Sequence, residues 1–107
     1  MTPLHTLCIN NQSEFASRLI QAGADVNAVD AQGRTLLHNA CFGKSAELVL
    51  LLLERDVKVD ARISSGEGEG ATALHIACAA GDVASLKLLL EKGASVNVVD
   101  AKGCTPL

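Results

Sequence analysis

The pattern of apolar and polar residues along the chain predicts several short helices. The first is expected over residues 13–22 and the second, apolar on nearly every side, over residues 46–54. Two more are expected over residues 73–80 and from the N-cap Asp82 to Leu90. The apolar face of the first helix consists of Phe15, Ala16, Leu19 and Ile20.

Glycines mark where two of these helices end. Gly23 and Gly93 follow the first and the last helix, and glycine accepts a left-handed C-cap without steric cost. Asp56 stands at the corresponding place after the second helix. If the left-handed geometry is kept there, this replacement costs up to about 1 kcal/mol.

One sequence pattern recurs along the chain. Thr-x-Leu-His begins at residues 2, 35 and 72 and a fourth copy begins at 105, so the spacings are 33, 37 and 33 residues. Self-similarity at such a period indicates a stack of repeated modules. We expect modules at residues 2–34, 35–71 and 72–104, followed by the start of a fourth at 105–107.

The middle module has a four-residue insertion in the connection that follows its second helix. The extra length lies in residues 64–70, where serine, glycine and glutamate offer no large side chain to pack. Because glycine-rich segments of this kind are flexible, we expect a mobile finger in this module.

Charge and aromatic content argue against nucleic acid and membrane partners. Nine Lys and Arg against twelve Asp and Glu give a net charge of -3, and Phe15 and Phe42 are the only aromatic residues. This composition provides neither a basic patch nor a stacking platform for bases. The sequence also lacks a run of about 18 apolar residues. We therefore expect a soluble chain that binds neither nucleic acid nor membrane.

The four cysteines follow the repeat. Cys8, Cys41 and Cys78 occupy the seventh position of successive modules, and Cys104 closes the third module. Equivalent positions in stacked modules lie about 10 Å apart, the separation of packed helices, which is too far for a disulfide. We expect free thiols and a reducing intracellular compartment, cytoplasmic or nuclear.

Each cysteine of the repeated position follows a histidine by three residues, at His5, His38 and His75. Such pairs could bind zinc, but each supplies only two ligands and the pairs belong to different modules. The sequence offers no singular cysteine and histidine constellation for nucleophilic catalysis and no phosphate-binding glycine loop with its lysine. We expect no metal, no cofactor and no enzymatic activity.

These features together resemble the ankyrin-repeat family. The resemblance rests on Thr-x-Leu-His, on Leu-Ile-Gln-Ala-Gly-Ala-Asp-Val-Asn at residues 19–27 and on Leu-Leu-Leu-Glu-Lys-Gly-Ala-Ser-Val-Asn at residues 88–97. It implies an all-α solenoid of helix-turn-helix modules joined by β-hairpin or turn fingers. It also implies that the repeated histidine hydrogen-bonds to backbone and to the neighbouring threonine, which braces the hairpin.

The resemblance further implies a function, since members of the family mostly bind other proteins through their concave side. That side is formed by the finger tips and by the exposed face of each module's first helix. Asn27 and Asn97 match a hydroxylation position of the family; the alternative is that each only hydrogen-bonds its own hairpin. The partner-binding residues implied for this chain are Gln32, Arg34, Phe42, Lys44, Arg62, Ser65, Glu67, Glu69 and Lys102.

Several of these residues allow two interpretations. Phe42 is either an interface anchor or a ring folded against a neighbouring helix. Arg34 and Arg62 either pair with charges of a partner or are only solvated. Glu67 and Glu69 form either an anionic finger for a basic peptide or a plain flexible loop.

The leading functional hypothesis is a protein-protein interaction module, such as a scaffold segment, with no chemistry of its own. The alternative is a regulatory or structural segment that packs against another domain of a larger parent protein. Because the sequence shows no polar capping repeats, we also expect low stability or self-association through uncovered apolar ends.

Overall fold

Two rows of helices form the fold. The computed structural model describes residues 13–55, 57–66 and 68–106. The helices in these ranges are α1 Ser13–Gln21, α2 Leu36–Phe42, α3 Ala46–Glu54, α4 Ala73–Ala80 and α5 Val83–Glu91. Helices α2 and α4 pack on each other, and we call them the inner helices. The outer helices are α1, α3 and α5: α3 packs on α1, α5 and α2, and α5 also packs on α4.

The helix predictions are confirmed closely. The bounds of α3 and α4 are those expected from the sequence, and α1 and α5 end within one residue of the expected position. Gly23 and Gly93 have φ of 100° and 84°, so both take the left-handed conformation predicted at helix ends. The predictions for residues 2–12, Asp56, Glu67 and Leu107 lie outside the described residues.

A threonine and a histidine begin each inner helix. The Thr35 backbone N–H donates to His38 Nδ1 at 3.1 Å, while the Thr35 hydroxyl accepts from the His38 backbone N–H. Thr72 and His75 form the same reciprocal pair. The arrangement is a capping box in which histidine replaces the usual glutamate or glutamine. The role implied for the repeated histidine is therefore confirmed at both described copies.

Two of the outer helices, α3 and α5, begin with a capping residue. The Ser45 hydroxyl accepts from the Leu48 N–H, and the Asp82 carboxylate accepts from the Ser85 N–H, as predicted for Asp82. Helix α3 is apolar on nearly every side, and one of its apolar residues, Leu50, is exposed. Helix α3 packs against α1, α5 and α2. The face of α3 opposite α2 still faces solvent.

Turns between the modules form the fingers. Val29 and Thr35 make an isolated antiparallel bridge, and the described residues contain no longer strand. In this first finger the Asp30 carboxylate accepts hydrogen bonds from two backbone N–H groups, those of Gln32 at 3.0 Å and Arg34 at 2.9 Å. The first finger is thus a tight turn held by its own aspartate.

The described residues of the middle finger are hydrogen-bonded to both neighbouring fingers, which argues against the expected mobility. Ile63 is buried, and the backbone N–H groups of Ser64 and Ser65 both donate to the Gln32 carbonyl, at 2.8 and 3.1 Å. On the other side the Ala101 N–H donates to the Glu69 carbonyl at 3.0 Å. At these described residues the segment is therefore hydrogen-bonded to the finger before it and to the finger after it.

Candidate binding groove

An apolar groove of about 900 Å³ lies between the inner helices and the fingers. Its floor is formed by Phe42, Ile63, Ile76, Cys78, Ala79 and Ala80. Its rim is formed mainly by polar finger residues, among them Arg34, Asp100, Lys102, Cys104 and Thr105. The combination of an apolar floor and a polar rim is typical of binding surfaces.

Phe42 and Arg34 lie together in this groove. The Phe42 side chain is 47% exposed, and the Arg34 guanidinium carbon lies 5.8 Å from the centre of the ring. This separation is within the range of a cation–π interaction. Phe42 is therefore not folded away against a neighbouring helix, and Arg34, half-buried, is not merely solvated.

Asp100 and Lys102 lie on the opposite rim. The Asp100 carboxylate accepts from the backbone N–H groups of Cys104 and Lys102, each at 2.9 Å. The hydrogen bond from Cys104 is the largest cause of the lowered pKa of Asp100. The Asp100 carboxylate is thus hydrogen-bonded within its own finger. The Lys102 side chain is exposed.

Arg62 has a structural role that neither predicted alternative describes. Its Nε donates to the Gly70 carbonyl at 3.0 Å, and its Nη2 donates to the Val99 carbonyl. The side chain thus links the two ends of the middle finger and joins that finger to the next. Gln32 is half-buried, and its backbone carbonyl accepts hydrogen bonds from the same finger.

Lys44 was expected on an exposed first-helix position, and this placement was wrong. Helix α2 ends at Phe42, and Lys44 lies in the following turn with a φ of 55°. It is the one described residue other than glycine with positive φ. The matching residue in the next module is Gly81, with a φ of 69°. Lys44 therefore holds a left-handed conformation that favours glycine.

The remaining predicted site residues are exposed. Ser65 and Glu69 lie on the surface of the middle finger. The backbone N–H of Asn27 donates to the Asp25 carboxylate at 2.9 Å, and that of Asn97 donates to the Ser95 hydroxyl at 3.4 Å. Both asparagines are exposed, and their hydroxylation stays a prediction.

The sequence reasoning missed Asn39, a fully buried residue of α2. Neither its side-chain nitrogen nor its side-chain oxygen has a hydrogen-bond partner among the described residues. The matching residue of the next module is Ile76, which is also buried. The repeat contained a sign of this, because the polar Asn39 occupies a position at which the next module has the apolar Ile76. Ile76 in the groove floor was missed for a simpler reason, since it is buried and does not lie on an exposed helix face.

The described cysteines Cys41, Cys78 and Cys104 are free thiols. Burial raises the pKa of the Cys41 thiol to about 12 and also raises that of Cys78. Over the described part of the chain, no group of three or more His, Cys, Asp or Glu side chains is placed to hold a metal ion. None of the helices in these ranges is long and apolar enough to cross a membrane.

Comparison with known families agrees with this architecture. A family model described as ankyrin repeats (3 copies) matches residues 1–63, and a second, ankyrin repeats (many copies), matches residues 58–107. The chain belongs to the ankyrin-repeat family. Ankyrin repeats are generally protein-protein interaction modules without catalytic activity.

A solved ankyrin-repeat structure shows the same fold. The human ASB11 ankyrin repeat domain superposes with a TM-score of 0.87 at 30% sequence identity. The match covers 99% of this chain and 46% of that chain. The fold is thus an all-α ankyrin solenoid, as the resemblance implied.

Curated relatives are similar to this chain over about half of its length. NF-kappa-B inhibitor alpha of Gallus gallus is 42% identical over 53 residues, which are 50% of this chain and 17% of that protein. Neurogenic locus notch homolog protein 4 of Homo sapiens is 44% identical over 62 residues, 57% of this chain and 3% of that protein. Tyrosine-protein kinase HTK16 of Hydra vulgaris is 38% identical over 55 residues, 51% of this chain and 7% of that protein. The chain thus matches only a small part of the length of each of these relatives.

Proposed function

We propose that this ankyrin-repeat chain is a non-catalytic interaction module that binds a partner protein or peptide in the groove between inner helices and fingers. The observation that carries the proposal is the half-exposed ring of Phe42 on the groove floor, with Arg34 above it. Aromatic and arginine side chains are the residues that most often dominate the energy of protein interfaces.

The surroundings of Phe42 support its role as an anchor. Ala79 and Ala80 beside it on the floor are small, so the groove has room for a side chain of a partner. Apolar surface that stays in water when the module is alone is covered on binding, and its burial contributes about 25 cal/mol per Å² before the costs of association.

Two features support a module without catalysis. The Cys41 thiol is buried and its pKa is raised to about 12, so it is a poor nucleophile. Both ring nitrogens of His38 are used in structural hydrogen bonds, so this histidine is not available as a general base. We propose no cofactor and no metal, nucleic acid or membrane partner.

The alternative is a regulatory or structural segment that packs against another domain of a larger polypeptide. The small share of each relative that the chain covers, 3% to 17%, supports it. Such a segment would use the same groove. The two hypotheses are therefore distinguished by whether the groove is covered by another domain of the parent polypeptide or by a separate partner. We place the module inside the cell, cytoplasmic or nuclear, and the exposed free thiol of Cys104 supports a reducing compartment.

We retain the module boundaries 2–34, 35–71 and 72–104 as part of the proposal, with a fourth module starting at 105. We also retain self-association through apolar ends. Phe15 and Leu19 on α1 are exposed, whereas Leu48 and Leu52, which match them one module later, are fully buried. Sedimentation over a range of protein concentrations tests this: an average mass that does not rise with concentration would contradict it.

The two phenylalanines give a matched test of the proposed function. Phe42 lies in the groove and Phe15, 58% exposed, lies on the outer helix α1. Proteins captured from a cell lysate by the immobilised chain should be lost with Phe42→Ala and retained with Phe15→Ala. Recovery of the same proteins by both variants would contradict a binding site in the groove.

A further inference from the structure

One pair of matching positions on the outer helices is exposed in α1 and buried in the other two helices. In α1 these residues are Phe15 and Leu19, which are 58% and 41% exposed. The matching residues are fully buried in both later modules, as Leu48 and Leu52 in α3 and as Ser85 and Leu89 in α5. Helices α3 and α5 each pack on an outer helix that precedes them, and α1 is the first described helix. This pair of positions therefore faces the preceding outer helix.

A second pair of positions shows the opposite pattern. Ala16 and Ile20 of α1 are buried, and so are the matching residues of α3, Val49 and Leu53. In α5 the pair consists of Leu86, which is half-buried, and Leu90, which is 40% exposed. Helices α1 and α3 each pack on an outer helix that follows them, whereas α5 is the last described helix. This pair of positions therefore faces the following outer helix.

The two exposed pairs are the two halves of an interface that the chain already contains twice. We call Phe15 and Leu19 the leading face, and Leu86 and Leu90 the trailing face. The contacts of α1 with α3 and of α3 with α5 each join a face of the trailing kind to a face of the leading kind. Because stacked modules contact their neighbours through one repeated interface, the trailing face of α5 matches the leading face of α1.

An exposed leucine on α3 differs from these faces. Leu50 is 41% exposed although α3 has an outer helix on each side. The matching residues in α1 and α5 are the polar Ser17 and Lys87. Leu50 therefore points away from both neighbouring outer helices, and it belongs to neither face.

From these observations we propose that copies of this chain associate head to tail, with α5 of one copy packed on α1 of the next. The contact continues the interface that joins α1 to α3 and α3 to α5, and it removes the apolar side chains of both faces from water. Two different faces meet, so the contact is heterologous and each added copy presents a new free face. The inference rests on the self-association proposed above, because it names the two faces that meet. The groove lies on the side of the inner helices and stays open.

The test measures the average mass of the chain by analytical ultracentrifugation over a range of concentrations. The mass of the native chain should rise with concentration beyond that of a dimer. Phe15→Glu and Leu90→Glu each place a carboxylate on one of the two faces, where it would be buried without a partner. Each variant alone should therefore stay at the mass of one chain. Both side chains are exposed, so the variants should keep the helical content of the native chain in circular dichroism.

Mixing the two variants tests the direction of the contact. Phe15→Glu keeps its trailing face, and Leu90→Glu keeps its leading face. An equimolar mixture should therefore form a dimer with one copy of each variant and no larger species. Leu50→Glu is the matched control, because it makes the same kind of change on an exposed part of α3. It should assemble like the native chain.

The outcomes separate this inference from the proposals on which it rests. Association that is lost with Phe15→Glu but unchanged with Leu90→Glu would mean that α1 packs on α1; it would overturn the inference and leave self-association. A mixture of the two variants that stays monomeric would also overturn the head-to-tail contact, as would loss of assembly with Leu50→Glu. A native chain that stays monomeric would contradict self-association itself and would assign the two faces to modules of another polypeptide. Binding in the groove is tested separately, by Phe42→Ala.

Discussion

The Nε2–H of His38 donates a hydrogen bond to the carbonyl of Ala71, 3.1 Å away and 33 residues later in the chain. Nδ1 of the same ring accepts from the Thr35 N–H, so the ring is neutral with its proton on Nε2. One imidazole thus joins the start of α2 to the end of the middle finger. A second proton would have to sit on Nδ1, where it would displace the Thr35 bond.

The pH dependence of stability follows from this arrangement. Burial lowers the pKa of His38 from its usual 6.5. Below pH 6.5 the unfolded chain therefore binds a proton that the folded chain does not, and stability falls as the pH falls towards the folded pKa. We expect the free energy of unfolding, measured with urea, to decrease from pH 6.5 downwards. The His38→Gln variant can still donate to the Ala71 carbonyl, and its free energy of unfolding should decrease less as the pH falls below 6.5. An equal decrease with pH in the variant and the native chain would contradict this role of His38.

Asn39 should be a source of instability. Both its polar side-chain atoms are buried without a partner in the part of the chain that the structure describes, which costs about 1–3 kcal/mol. Asn39→Leu removes these groups and should raise the free energy of unfolding by about 1–2 kcal/mol. The reverse change in the matching position, Ile76→Asn, should lower it by about 2 kcal/mol or more. A less stable Asn39→Leu would show that the asparagine has a role that the described contacts do not reveal.

Lys44 should lower stability through its backbone. Lys44→Gly removes the left-handed strain and should raise the free energy of unfolding by about 1 kcal/mol. Gly81→Ala is the matched control, because a Cβ there would meet no atom within 4 Å. Its free energy of unfolding should fall by about 1 kcal/mol, which is the cost of a left-handed backbone for a residue with a side chain. No gain for Lys44→Gly, measured by urea unfolding, would contradict the strained conformation.

The middle finger should respond strongly to a small side chain at Gly70. A Cβ at this position would lie 2.8 Å from the Ala101 nitrogen, and φ is 81°. Gly70→Ala should therefore lower the free energy of unfolding by about 2 kcal/mol or more, and should speed hydrogen exchange at the Ser64 and Ala101 amides. Gly93→Ala, with no atom near its Cβ, should cost only about 1 kcal/mol. Rapid exchange of both amides in the native chain would instead support the mobile finger that composition suggests.

Local features of the sequence were sufficient to predict the helices and the family. The caps of α4, Thr72 at its start and Gly81 at its end, are explicit residues, so its bounds could be predicted without a structure. The hydrogen bonding of the middle finger could not be predicted from the sequence. It consists of backbone hydrogen bonds to Gln32 and Ala101, and almost any residue can make such bonds. Lys44 was misplaced since lysine gives no sign of left-handed backbone.

The groove was predictable in outline but not in detail. Its location followed from the family resemblance, and Phe42 was identified by comparing modules. Arg62 shows where that comparison ends: its charge suggested a partner, yet its guanidinium binds the carbonyls of Gly70 and Val99. Whether a surface arginine is used inside the chain depends on which carbonyls lie within its reach, and the sequence does not contain that distance.

The central claim is that partners bind in the groove, and an NMR map of backbone amides tests it most directly. The isotope-labelled chain is titrated with a peptide enriched by selection on the chain. Shift changes should cluster around Phe42, Ala79 and Lys102 and be reduced in Phe42→Ala. Changes confined to the outer helices, around Leu50 or Lys87, would contradict the claim.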